Sequence, residues 1–296
     1  GFIGKWLIGS ILNINDVYQL NIEIFILSRN PNKFINDNKW INNERNLKIL
    51  KFDLSKKKLN FDHNFDYFFH LANDPNNEKY NDIFYQLNYN LKINENVINF
   101  CENNINKKVF FCSSGVVKNI TYKNELNLNN SYGIMKLISE RIFLNNKKIK
   151  NKLMIGRLYA CCGPLIPLKT HYAFNSFLNN IINNKNVLIK GNGKTIRSYI
   201  YGSTMSACIL NLTFGQKYKE NVYEIGSSRG ISMYDLAKKL MNKAGSKKKV
   251  IIVNKLRNEF NHKYYTKNDI CDVLSINRIS LDTAIEKCFK FYKNIT

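Results

Sequence analysis

The 296 residues, 44% of them hydrophobic, suffice for a sizeable globular core, and no run of about 18 apolar residues is present to cross a membrane. The formal charge of +23 is mostly lysine scattered among asparagine and isoleucine, as in 179–186, with no arginine–aromatic stripe, so specific nucleic-acid recognition is not expected. Seven cysteines without a Cys-x-x-Cys pair and four unclustered histidines exclude a disulfide framework and a metal site, and with no signal-peptide pattern at the start they predict a cytoplasmic protein.

Ile3, Leu7 and Ile11 recur at helical spacing. The apolar run Ile22–Leu27 then ends in Ser28-Arg29-Asn30-Pro31 and predicts a strand closed by a turn. Leu47–Phe52, ending at Asp53, predicts a second strand, and Phe65–Leu71 a third. A helical pattern fills 81–103, a strand covers Val109–Cys112 and leads into Ser113-Ser114-Gly115, a helix spans 131–145, and another strand covers Leu153–Leu158. Strands alternating with helices predict an α/β fold, a doubly wound parallel sheet of Rossmann type, with ligands outside the carboxyl ends of the strands. Beyond residue 160 the rhythm loosens around Gly163-Pro164 and Pro167. Helices at Phe174–Ile182, Met233–Ala244 and Leu281–Tyr292, a strand at Val250–Val253 and the turn Gly191-Asn192-Gly193 predict a smaller lobe. The chain therefore divides into 1–160, a dinucleotide-binding domain, and 161–296, a substrate lobe partly interleaved with it.

The most informative local feature is Tyr132-Gly133-Ile134-Met135-Lys136. A tyrosine and a lysine four apart share one helix face. A nearby ammonium favours the phenolate and makes tyrosine a usable base. Ser114, arriving from a neighbouring strand, is placed to hold a substrate hydroxyl. Together the three can take a proton from an alcohol while its carbon gives up a hydride.

The ordered motifs resemble the extended short-chain dehydrogenase/reductase family of NAD(P)-dependent nucleotide-sugar epimerases and dehydratases. Gly1-Phe2-Ile3-Gly4 is similar to the second half of the family's Gly-x-x-Gly-x-x-Gly, Asp53-Leu54 to its adenine-binding segment, and His70-Leu71-Ala72 to the His-Leu-Ala after the fourth strand. Asn88 stands where the following helix usually carries Asn, and Ser114, Tyr132 and Lys136 match the catalytic positions. Gly156-Arg157 through Gly163-Pro164 and Gly191-Asn192-Gly193 through Arg197 resemble two further segments, the second with an Arg that contacts the sugar nucleotide's phosphates. The resemblance implies that Gly1, Phe2, Ile3, Gly4, Arg29, Asp53, Leu54, Leu71, Ala72, Asn88, Tyr132 and Lys136 bind NAD or NADP. It implies that Ser114, His171, Asn175 and Arg197 bind a nucleotide sugar, and that two copies form a homodimer. Ser28-Arg29 at the end of the second family strand, in place of an acid, leaves NADP open beside NAD.

Three departures shape the expectation. The family's first glycine and the strand before it do not precede Gly1, which predicts a gap in mid-sheet and a longer natural chain. Family dehydratases place Asp-Glu after the catalytic Ser/Thr; here Gly115-Val116 cannot handle protons, which favours an epimerase or a ketosugar reductase over a 4,6-dehydratase with relocated acid and base, or a non-catalytic cofactor binder. Lys118 and Thr204 replace the family's tyrosine and aspartate, so the substrate's identity stays open.

Overall fold

The apolar runs fold as strands and the 3.6-periodic stretches as helices. The structure is a computed structural model, and it describes residues 1–42, 44–73, 79, 82–122, 125–126, 130–168, 172–215, 218, 220–253 and 263–293. In chain order come α1 (Phe2–Tyr18), β1 (Ile24–Ser28), α2 (Pro31–Asn36), β2 (Leu47–Lys51), β3 (Phe65–His70), α3 (Ile83–Asn104), β4 (Ile105–Ser114), the small antiparallel pair β5 (Thr121–Tyr122) and β6 (Glu125–Leu126), α4 (Ser131–Asn145) and β7 (Leu153–Leu158). Then follow β8 (Cys161–Cys162), α5 (Ala173–Ile182), β9 (Val187–Ile189), β10 (Ile196–Arg197), β11 (Ile200–Tyr201), α6 (Gly202–Phe214), β12 (Val222–Ile225), β13 (Ile231–Ser232), α7 (Met233–Ala244), β14 (Val250–Ile252), β15 (Lys263–Tyr264), α8 (Ile270–Leu274) and α9 (Leu281–Lys293). Short polar side chains start the helices: Asn30, Asp82, Asn130 and Ser232 each accept a hydrogen bond from a first-turn N–H.

β12, β7, β4 and β3 form one parallel sheet in that order, and β1 and β2 form a second parallel pair. Among the described residues no ladder joins β1 to β3. Alternation along β4 sends Phe110 to one face and Phe111 to the other. Phe110 packs with Leu7, Met154, Met205 and Ile209, under α1 and α6. Phe111 packs with Val97, Phe143 and Ile155, under α3 and α4. A third core gathers Phe174, Leu178, Leu236, Leu240, Ile285 and Phe289 from α5, α7 and α9.

The second half of the chain reaches back into the first. β12 completes the main sheet beside β7, and α6 covers the α1 face. No helix is predicted over α6 because its burial runs almost all the way round: Met205, Ser206, Cys208, Ile209, Leu212 and Thr213 are all inside. A helix buried on every side carries no amphipathic stripe. No helix among the described residues is long and apolar enough to cross a membrane.

Candidate active site

Tyr132 and Lys136 lie in the first two turns of α4. Gly133, between them, lets this turn press against the fully buried Ile120, whose Cδ1 would stand 2.1 Å from an added Cβ. The Lys136 ammonium is buried, 4% exposed, and donates to the carbonyl of Cys112 on β4 at 3.0 Å. It lies 5.8 Å from the centre of the Tyr132 ring and 5.2 Å from that of Phe111. Burial lowers the Lys136 pKa, against the opposing pull of Cys112 and Glu140. Ser114 ends β4, and its Oγ accepts from the N–H of Val116 at 3.4 Å. Lys136 thus ties the Tyr132 end of α4 to β4, the strand that Ser114 ends.

A buried polar frame holds α4 against the sheet. Glu140, one turn beyond Lys136, accepts Arg157 Nε at 2.9 Å and Nη2 at 2.6 Å, and the hydroxyl of Ser113 as well. Arg157 therefore braces α4 against β7. On the far side, His70 Nε2 stands 2.9 Å from Asn94 Oδ1, Asn94 donates to Ser139 Oγ at 2.7 Å, and Ser139 donates to the carbonyl of Met135 at 2.8 Å. With Asn94 offering oxygen, His70 carries its proton on Nε2.

Burial depresses the His70 pKa from 6.5 to about 4, opposed by the Asn94 hydrogen bond and aided by the charge on Lys136. The unfolded state therefore binds the proton first, and stability falls as the pH drops from 6.5 to about 4. The expected loss over that window is about 3 kcal/mol. Denaturant titrations of wild type and His70→Asn at several pH values check this, and equal slopes in the two proteins would contradict it.

The cofactor candidates sit along the carboxyl ends of the first three strands. Gly1 caps α1, and Gly4 lies close enough to Leu71 that an added Cβ would meet its Cδ1 at 3.6 Å. Phe2 and Ile3 lean into the core beneath α1. Arg29 follows β1, is exposed, and donates to Tyr89 Oη at 3.2 Å. Asp53 follows β2, and its Oδ1 accepts from Ser55 N and Oγ at 3.0 and 2.6 Å. Burial is the largest single influence and raises its pKa, but the two Ser55 bonds and the Arg29 and Lys56 charges together outweigh it and hold the pKa low. The carbonyl of Leu54 is braced by Asn96 at 2.7 Å, and Leu54 and Ala72 both pack against the core under α3 and α4.

Asn88 requires a correction: it is exposed on α3. Gln86, Asn90 and Asn94, spaced by four, form the buried amide row, and a residue midway between two of them points away. Counting back four positions from Asn94, which meets His70, reaches the buried Asn90.

On the substrate side, Asn175 in α5 is 1% exposed, and both its amide atoms lack a partner among the described residues. A buried amide left unsatisfied in this way is costly unless a ligand completes it. Arg197 is half-buried on β10, and its charge is felt by Tyr199 and Tyr264. His171 lies outside the described residues. Lys118 pairs with Glu224 of β12, and Thr204 Oγ1 accepts from Ile279 N at 3.2 Å, bracing α6 to the approach of α9. Gly115 lies beneath the ring of Tyr159, which a Cβ would meet at 2.6 Å. The turn after Ser114 therefore has no room for a carboxylate at position 115.

The sequence profile of the NAD dependent epimerase/dehydratase family matches residues 1–226. The chain belongs to this family. A dTDP-D-glucose 4,6-dehydratase of Dictyostelium discoideum is 34% identical over 128 residues, 40% of this chain; the match spans only 27% of that protein. Among solved structures, UDP-N-acetylglucosamine 4-epimerase from Methanobrevibacter ruminantium, in complex with UDP-N-acetylmuramic acid, superposes with a TM-score of 0.81 at 18% identity, over 100% of this chain and 96% of that one. UDP-glucose 4-epimerase from Thermotoga maritima, with UDP-glucose, gives 0.79 at 18% identity over 100% and 96%. The epimerase/dehydratase fold is thus shared over the full length at low identity.

Proposed function

We propose that the protein is an NAD(P)-dependent nucleotide-sugar epimerase or ketosugar reductase acting by hydride transfer at one sugar carbon. The observation that carries this is the cluster of Ser114, Tyr132 and buried Lys136 beside a turn that Tyr159 closes to a carboxylate at 115. The nicotinamide cofactor, when bound, accepts or supplies the hydride. Tyr132 takes the sugar hydroxyl's proton, Lys136 places positive charge beside the phenol, and Ser114 holds the reacting oxygen. The residues fit the cofactor: Gly1 and Gly4 open the α1 N-terminus to a pyrophosphate, with Leu71 packed behind Gly4, and Arg29 and Asp53 flank the adenosine end. Arg197 suits the diphosphate and Asn175 a sugar hydroxyl. In this reading 1–160 carry the dinucleotide and 161–296 the nucleotide sugar, the protein works in the cytoplasm, and two copies pair through α3 and α4, whose outward Phe84 and Ile142 are exposed.

A 4,6-dehydratase is the second reading, favoured by the Dictyostelium match and by Glu224, a carboxylate beside Tyr159. Incubation with NAD and NADP and a panel of UDP-, dTDP-, CDP- and GDP-sugars separates the two. A stereoisomer or a reduced sugar is the expected product. A 4-keto-6-deoxy sugar would establish the dehydratase, and no conversion by cofactor-loaded protein would count against both.

A further inference from the structure

A groove of about 1300 Å³ runs between α1 and α6. Neither Ser114, Tyr132 nor Lys136 lines it, and no residue proposed above to hold the cofactor or the sugar does. Trp6, Trp40, Phe214 and Phe291 give it aromatic walls, and the small residues Gly9 and Ala207 leave it depth. Trp6 is fixed in advance: Gly202 leaves room for its indole, which an added Cβ would meet at 2.3 Å, and its Nε1 donates to the carbonyl of Pro164 at 3.1 Å. Trp40 lies across Gly9, where an added Cβ would meet its ring at 3.8 Å, and it is 40% exposed. An indole left open beside a preformed groove offers apolar surface to a ligand.

One charge stands on these walls, the ammonium of Lys5, and among the described residues no carboxylate does. Burial lowers the Lys5 pKa, and the opposing pull of Asp37 is the smaller of the two. The ammonium has therefore lost more in hydration than the protein's own charges return, and an anion seated beside it is favoured. Along α1 the groove extends from Lys5 to Ile14, about 14 Å at the helical rise per residue. An apolar wall of that length with a single cation at its head fits a chain that ends in one negative charge.

We propose that this groove binds an acyl carboxylate, a fatty-acid-like amphiphile whose chain lies against Trp6 and Trp40 and whose carboxylate pairs with Lys5. The binding is non-covalent and does not depend on the nucleotide-sugar reading above.

The chain's two tryptophans both line the groove, so intrinsic fluorescence reports on it directly. Dodecanoate, titrated below its micelle concentration, is expected to change the emission saturably, as a single site. Dodecanol should bind about tenfold more weakly, and Lys5→Met should weaken dodecanoate by about tenfold while leaving dodecanol unchanged. Ala207→Phe fills the groove and should abolish the response. With a formal charge of +23 the whole surface attracts anions, and these comparisons separate the groove from that general attraction. The comparison of acid with alcohol is made on wild type and needs no variant to fold. No saturable response to dodecanoate, an alcohol that binds as tightly as the acid, or undiminished dodecanoate binding in Lys5→Met overturns the proposal. So does a dimer in sedimentation that Ala207→Phe dissociates, because a second copy would then be what covers the groove. None of these results bears on the functional reading, which the nucleotide-sugar panel tests by itself.

Discussion

Replacement of Tyr132 by phenylalanine is expected to lower turnover by about 10²–10⁴-fold while cofactor binding and thermal stability stay near wild type. The reason lies in what the change leaves behind. Lys136 keeps its bond to Cys112 and its place in the frame, since neither depends on the phenol oxygen. The ring remains in the first turn of α4, and the proton acceptor is lost. In free-energy terms the loss is about 3–5 kcal/mol of barrier. Initial rates on whichever nucleotide sugar the panel identifies, with bound cofactor measured separately, supply the check. A variant within about threefold of wild type would remove Tyr132 from the proton-transfer step.

Glu140→Gln is expected to produce the largest loss of stability. Glu140 is 1% exposed and takes three bonds from Arg157 and one from Ser113. Its removal leaves an arginine with only 23% of its side chain exposed and only the weaker pull of Glu224 to offset its charge. Breaking such a buried pair costs about 3–5 kcal/mol, and partial solvation of Arg157 puts the expectation near the lower figure. Chemical denaturation measures it directly. The double change Glu140→Leu with Arg157→Met should recover most of the loss, because it removes both charges at once. If the single variant unfolds at the wild-type denaturant concentration, the ion pair does not hold α4.

Much of this site was legible in the sequence, for a physical reason. Ser114, Tyr132 and Lys136 lie on long elements, β4 and α4; α4 carries only a weak apolar stripe, so it was the Tyr-x-x-x-Lys spacing and the order of the motifs that marked the helix. Asn88 failed because one buried amide among many asparagines on α3 cannot be singled out without knowing which face packs. α6 failed because total burial erases the periodicity that announces a helix. Tyr264 could not be placed beside Ser114 from sequence, since the two are 150 positions apart and the ladder that brings β15 to β10 is two residues long. Gly115 was read as a missing carboxylate; the structure adds that Tyr159 fills the space a side chain there would take.

That short ladder also has a mechanical consequence. Arg197 and Tyr264 are register partners, so one backbone rung carries both the grip proposed for the diphosphate and the phenol that Ser114 Oγ meets at 3.3 Å. Whatever tightens around the nucleotide end also stiffens the reacting end. A free sugar, or a sugar 1-phosphate, would therefore lose catalytic rate as well as affinity, because binding energy gathered far from the reacting carbon is what holds the reacting groups in line.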